Sequence, residues 1–130
     1  MTQTPRILHV EDDPDIREIA LVALEVVGGL TVDQCASGPE ALQRAPGIAP
    51  DLLLLDVMMP GMSGEDTLAG LRAMPQFADT PAIFMTAKAQ PAEVEKLRQL
   101  GAAEVITKPF DPMTLADQVL AIWERSRAGG

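Results

Sequence analysis

Residues 52–55 are four leucines in a row, and Asp56 ends the run. The run is too short for a stable helix and lacks the alternation of a half-buried strand. It therefore predicts a strand covered on both faces, the kind a parallel sheet needs. Parallel neighbours need long crossovers, so this one stretch already points to a layered α/β domain. Asp56 then falls where the apolar strand gives way to Met-Met-Pro-Gly. That is the carboxyl edge of the sheet, where open α/β sheets carry their chemistry. Asp is also common at strand ends because it makes turns. The other polar groups that reach the same edge decide between the two readings.

Taken in order, residues 6–10 predict a first strand, closed abruptly by Glu11-Asp12-Asp13-Pro14. Pro14 suits the first turn of a helix, and Ile16, Ile19, Ala20, Ala23, Leu24 and Val27 recur at helical spacing until Gly28-Gly29. Residues 30–36 read as a second strand. Residues 40–45 read as a short helix ended by Pro46-Gly47. The leucine strand follows, then a helix opened by Ser63-Gly64-Glu65 and stopped by Pro75. Residues 81–85 form a fourth strand, 91–100 a charged helix with Gly101 as its stop, and 104–107 a fifth strand. Asp111-Pro112 opens the last helix, whose buried face carries Leu115, Val119, Leu120, Ile122 and Trp123. Strands and helices alternate five times. Right-handed crossovers then make a doubly wound three-layer domain the natural solution.

The 130 residues suit a single domain over 1–130, with a core at about 6–125 and a flexible tail at 126–130. With 47% hydrophobic residues and only 3% aromatics, the core must be aliphatic. A net charge of −9 argues against direct nucleic-acid binding or an anionic lipid surface. Cys35 is the only cysteine, so no internal disulfide is expected. Neither a signal-peptide run nor a bilayer-length apolar segment is evident, which predicts no membrane insertion and a cytoplasmic location.

Because parallel strands point one way, Glu11-Asp12-Asp13, Asp56, Thr86 and Lys108 should share one end of the domain. Carboxylates gathered so closely repel and are comfortable only beside a cation. Oxygen donors of this kind suit Mg²⁺ better than a soft metal. With metal and Lys108 to neutralise phosphoryl oxygens and Thr86 to donate a hydrogen bond, Asp56 could attack phosphorus and form an acyl phosphate.

The segments Val10-Glu11-Asp12-Asp13-Pro14, Leu55-Asp56-Val57-Met58-Met59-Pro60-Gly61-Met62-Ser63-Gly64, Met85-Thr86-Ala87 and Thr107-Lys108-Pro109-Phe110 resemble, in order and spacing, the signatures of one family. It is the receiver domain of bacterial two-component response regulators, in its single-domain, chemotaxis-regulator-like form. The resemblance runs from about residue 6 to 125. It implies a flavodoxin-like (βα)5 fold with parallel sheet order 2-1-3-4-5. It implies Mg²⁺-dependent transfer of a phosphoryl group to Asp56 from a phosphohistidine on a sensor histidine kinase or histidine phosphotransfer protein. The product is a signalling switch that acts on a downstream protein, not a turnover enzyme. Carried over by position, Asp12 and Asp56 contact the metal directly, Glu11 through water and Met58 through its backbone carbonyl. Arg17 supports this register, although three consecutive acids leave a shift by one open. A cis peptide between Lys108 and Pro109 is implied as well.

Two departures matter. Val105 stands where the family usually has an aromatic switch residue. Met58 and Lys88 occupy variable positions beside the attacking-water path, where their bulk predicts slow hydrolysis of the acyl phosphate. The alternatives are a receiver-like module that binds a partner without being phosphorylated, favoured by Val105, and a small phosphatase. The phosphatase would want a second acid two residues beyond the nucleophile, where this chain has Met58. His9 reads as a neutral core histidine. The kinase, the output and any phosphorylation-dependent dimer lie outside what the sequence holds.

Overall fold

A computed structural model of the chain describes residues 4–128. Five parallel strands, β1 (Arg6–Val10), β2 (Thr31–Cys35), β3 (Leu52–Asp56), β4 (Ala82–Thr86) and β5 (Glu104–Thr107), form one sheet in the order β2-β1-β3-β4-β5. The helices are α1 (Pro14–Leu21), α2 (Gly38–Ile48), α3 (Gly64–Arg72), α4 (Pro91–Gln99) and α5 (Leu115–Ala128). This is the expected doubly wound three-layer domain.

The leucine run explains the layering. Leu52 and Leu54 join one core with Ala20, Leu24, Val119 and Trp123, from the layer of α1 and α5. Leu53 and Leu55 join the other with Ala41, Leu68, Leu71 and Leu97, from α2, α3 and α4. Successive side chains of a strand point to opposite faces, so a fully apolar β3 supplies both cores. All five of its residues are buried.

Several boundaries differ from the sequence reading. After Leu21 the first helix widens into a π-helical stretch, Val22–Val27. It ends at Gly28, where a Cβ would lie 2.3 Å from Ala116 Cβ and 2.8 Å from the Leu24 carbonyl oxygen, so the chain lies flush on α5. The second helix does not stop at residue 45. It continues through Pro46 to Ile48, because Ala45 and Ile48 pack into the core while Pro46 stays on the exposed side. The last helix starts at Leu115, later than Asp111-Pro112. Asp111 instead builds a turn, its carboxylate accepting from the Met113 amide and its carbonyl from those of Thr114 and Leu115. At the other end α5 persists to Ala128, so residues 126–128, expected in a flexible tail, are helical. Two contacts back onto the preceding turn favour this. The Ser126 hydroxyl donates to the Trp123 carbonyl, and the Arg127 guanidinium lies 4.4 Å from the Trp123 ring centre. Residues 129–130 lie outside the described residues.

Candidate functional site

The carboxyl ends of β1, β3, β4 and β5 converge on a pocket of charge. Asp56, the last residue of β3, is 3% exposed, and Glu11, just past β1, is 1% exposed. Lys108, just past β5, donates to both: its Nζ lies 2.9 Å from Glu11 Oε1 and 3.0 Å from Asp56 Oδ1. The lysine backbone is held in turn, since its amide donates to the Thr86 carbonyl at 2.8 Å. The Lys108–Pro109 peptide is cis.

The three neighbouring acids have different tasks. Carboxylate oxygens of Glu11, Asp12 and Asp56 all lie within 4.8 Å of one another, a set that could hold a metal ion. Asp13 is used otherwise. It is the N-cap of α1, its Oδ1 accepting from the Asp15 amide at 2.9 Å and the Ile16 amide at 3.4 Å. That satisfies amides with no partner in the first turn, and it places the Glu11–Asp12 pair rather than Asp12–Asp13 beside Asp56. The Asp13 amide also donates to Glu11 Oε2.

On the neighbouring strand Thr86 is buried, and its hydroxyl oxygen accepts the Lys88 amide at 3.0 Å. The hydroxyl proton remains to be donated elsewhere. Met58, two residues beyond Asp56, exposes its side chain, as does Lys88. Gly64 at the start of α3 sits where a Cβ would come 2.2 Å from the Asp56 carbonyl oxygen. A backbone atom cannot give way cheaply there, so glycine is what lets the loop after β3 fold back against Asp56. Val105 packs half-buried against the core beside its register partner Phe84.

Charge is under tension in this pocket. Burial pushes the Glu11 carboxyl up from 4.5 to about 7, and the negative charge of Asp56 adds to the rise. Hydrogen bonds from Lys108 and the Asp13 amide oppose it. For Lys108, burial works to lower the ammonium pKa, but the bonds to Glu11 and Asp56 outweigh it and raise it. A carboxyl raised by burial among other acids is one a bound cation would relieve, which is how the donor set fits a divalent metal.

This predicts a gain on removing charge. Because Glu11 titrates higher in the fold than in the unfolded chain, its contribution is fully present below pH 4.5 and lost as pH rises through about 7. Glu11→Gln should therefore raise the urea midpoint at pH 8 without divalent cation, by about 1–3 kcal/mol of stability. The extra stabilisation that divalent cation gives the native chain should shrink. A midpoint lower than that of the native chain would contradict this picture.

The family pattern described as the response regulator receiver domain matches residues 7–120. The chain belongs to that family. Receiver relatives include the DNA-binding response regulator MtrA of Mycolicibacterium smegmatis, 36% identical over 125 residues, which cover 96% of this chain and 53% of the relative. The phosphate regulon transcriptional regulatory protein PhoB of Pseudomonas aeruginosa is also 36% identical, over 95% of this chain and 53% of its own length. This receiver chain thus spans about half the length of the curated relatives it matches. Among solved structures, the chemotaxis protein CheY4 of Vibrio cholerae superposes with a TM-score of 0.85 at 29% identity, covering 92% of this chain and 99% of that one. The signal receiver domain of a histidine kinase from Syntrophus aciditrophicus gives 0.79 at 31% identity, covering 94% and 92%. The flavodoxin-like topology inferred from the motifs is therefore the receiver's own. Among the described residues, no helix is long and apolar enough to cross a membrane.

Sequence reasoning found the acids, Thr86 and Lys108 but passed over Gln34. Its only signal was its place in β2, opposite His9 in the parallel register.

Proposed function

We propose that this receiver accepts a phosphoryl group on Asp56 from the phosphohistidine of a sensor kinase or phosphotransfer protein, and so switches its contacts with a downstream protein. The observation that carries the reading is Lys108, whose ammonium reaches Asp56 and Glu11 at once within the acidic cluster. A carboxylate oxygen of Asp56 attacks phosphorus, the phosphorus–nitrogen bond breaks with its electron pair staying on nitrogen, and a donor phosphohistidine protonated on its other ring nitrogen leaves as neutral imidazole. Lys108 stabilises charge on the phosphoryl oxygens, and Thr86 donates its free hydroxyl proton to one of them. Asp12, Asp56, the Met58 carbonyl and, through water, Glu11 would hold Mg²⁺, which supplies further charge neutralisation when bound.

A protein donor is supported by the surroundings. Ile16, Ile19, Phe110 and Pro112 line a mainly apolar concavity of about 350 Å³ that runs up to Lys108. The net charge of −9 favours protein over nucleic-acid contacts for this unit, although MtrA is itself named DNA-binding. A cytoplasmic switch without turnover of an external substrate fits the same set of residues.

The test is incubation with acetyl phosphate and Mg²⁺, read by intact-mass spectrometry. One phosphoryl group should be added, absent in Asp56→Ala, and it should persist for minutes, as expected from the bulk of Met58 and Lys88 at the two positions that the resemblance sets beside the attacking-water path. Absence of any mass gain in a folded chain would instead favour the unphosphorylated interaction module. Val105 is the observation behind that second reading, because without a ring there the usual inward swing coupled to Thr86 cannot occur.

A further inference from the structure

Arg17 of α1 reaches back to the acidic loop, where its Nη1 donates to the carbonyl oxygens of Glu11 at 2.8 Å and Asp12 at 3.0 Å. These two consecutive peptides carry the acids of the cluster. Pinning both carbonyls to one guanidinium fixes the backbone from which both carboxylates project.

The arginine is itself held. Gln34 Nε2 donates to the Arg17 carbonyl oxygen at 2.8 Å and lies 3.0 Å from His9 Nδ1. A carbonyl oxygen can only accept, so the nitrogen end of the Gln34 amide must face Arg17. His9 Nδ1 must then accept as well, which puts the imidazole proton on Nε2. His9 is wholly buried, so the bond between Gln34 and its Nδ1 is shielded from water. His9 and Gln34 are register partners on β1 and β2. The string therefore runs from the rigid sheet, through Gln34, to Arg17 and the acid loop.

We propose that Arg17, anchored by Gln34 and His9, is the positioning residue that sets the spacing of the Glu11 and Asp12 carboxylates and thereby the cation affinity of the cluster. This rests on the reading of the cluster as a divalent-cation site. Residues that orient ligands without touching the metal commonly change metal affinity about 10–100-fold when removed.

The test uses Mn²⁺ as probe, its free concentration followed by electron paramagnetic resonance, with the unphosphorylated full chain. Asp12→Asn should abolish binding. If the native chain takes up no Mn²⁺, or Asp12→Asn binds it unchanged, the cation site itself is wrong and the positioning role falls with it. Given binding at the cluster, Arg17→Ala should weaken it about 10-fold. Gln34→Met, which keeps the volume but deletes the donor, should weaken it about 3-fold, and the double variant should match Arg17→Ala alone because Gln34 acts through Arg17. Arg17→Lys should recover most of the affinity, since an ammonium can donate to both carbonyls. The Mg²⁺ concentration for half-maximal phosphorylation should shift with Mn²⁺ affinity while the saturating rate stays near native. Effects that multiply in the double variant would overturn the proposal, as would native Mn²⁺ affinity in folded Arg17→Ala and Gln34→Met. Should Arg17→Ala fail to fold, Gln34→Met decides by itself: weakened binding supports the proposal and native binding overturns it.

Discussion

Replacing Lys108 with methionine is expected to destabilise the chain by about 3 kcal/mol at pH 8 and by about 1–1.5 kcal/mol less at pH 5. The lysine ammonium separates two carboxylates that are almost without solvent, with side-chain exposures of 1% for Glu11 and 5% for Asp56. A methionine keeps much of the volume but leaves both carboxylates buried without their cation. Removing one partner of a buried ion pair is costly for that reason, whatever the pair was worth before. The sign of the pH dependence follows from Glu11. Its carboxyl already sits at about 7, with the Lys108 hydrogen bond pulling it down. Without that bond it rises further, so in the variant Glu11 is neutral at pH 5 and the repulsion from Asp56 is relieved. Stability is then present at acid pH and lost as pH climbs past 7. Phosphorylation from acetyl phosphate should fall about 100-fold or more, the scale of losing one preorganised donor to a developing charge. Urea melts of both chains at the two pH values decide it. An equal loss at pH 5 and pH 8 would mean that Lys108 matters by packing and not by charge.

The parts of the molecule that were legible in the sequence are those where local pattern and tertiary demand agree. Leu52 to Leu55 could be read as a doubly covered strand because only such a strand buries every residue, and Asp56 followed from where that strand ends. Boundaries failed where tertiary packing overrode a local signal. Pro46 is a helix breaker by its chemistry, losing a backbone hydrogen bond inside α2, yet Ala45 and Ile48 on either side of it have core positions to fill, and the helix runs on to bury them. The acid triplet was ambiguous for a different reason. Glu11, Asp12 and Asp13 are chemically alike, and only the demand of α1 for a cap sets Asp13 apart. The support behind the acid loop was less visible still. Gln34 is separated from His9 by 25 residues and meets it only because β2 pairs with β1, so no local window contains the contact.

Replacing His9 with leucine is expected to change the pH dependence of stability more than stability itself at neutral pH. In the native chain His9 titrates at about 3 in the fold, against an ordinary 6.5. The unfolded chain therefore binds the extra proton across that interval. Stability from the neutral ring is fully present above pH 6.5 and is lost as pH falls towards 3, by about 1.4 kcal/mol per unit. Glu11 has the opposite slope, because its folded carboxyl titrates at about 7 against 4.5 and the fold binds the proton more tightly in that window. Between pH 4.5 and 6.5 the two slopes oppose each other and nearly cancel, which predicts a flat native profile from these groups. His9→Leu removes one of the two. The lost bond to Gln34 gives a constant offset, since Gln34 Nε2 keeps its partner in the Arg17 carbonyl. Other carboxylates, such as Glu104 with its lowered pKa, act equally in both chains and drop out of the difference. Relative to the native chain, the variant should gain about 2–3 kcal/mol between pH 7 and pH 4.5. Urea midpoints taken at half-unit steps without divalent cation would show it. Parallel curves for the two chains would mean that the buried ring is already protonated in the fold, and His9 Nδ1 could then no longer accept from Gln34.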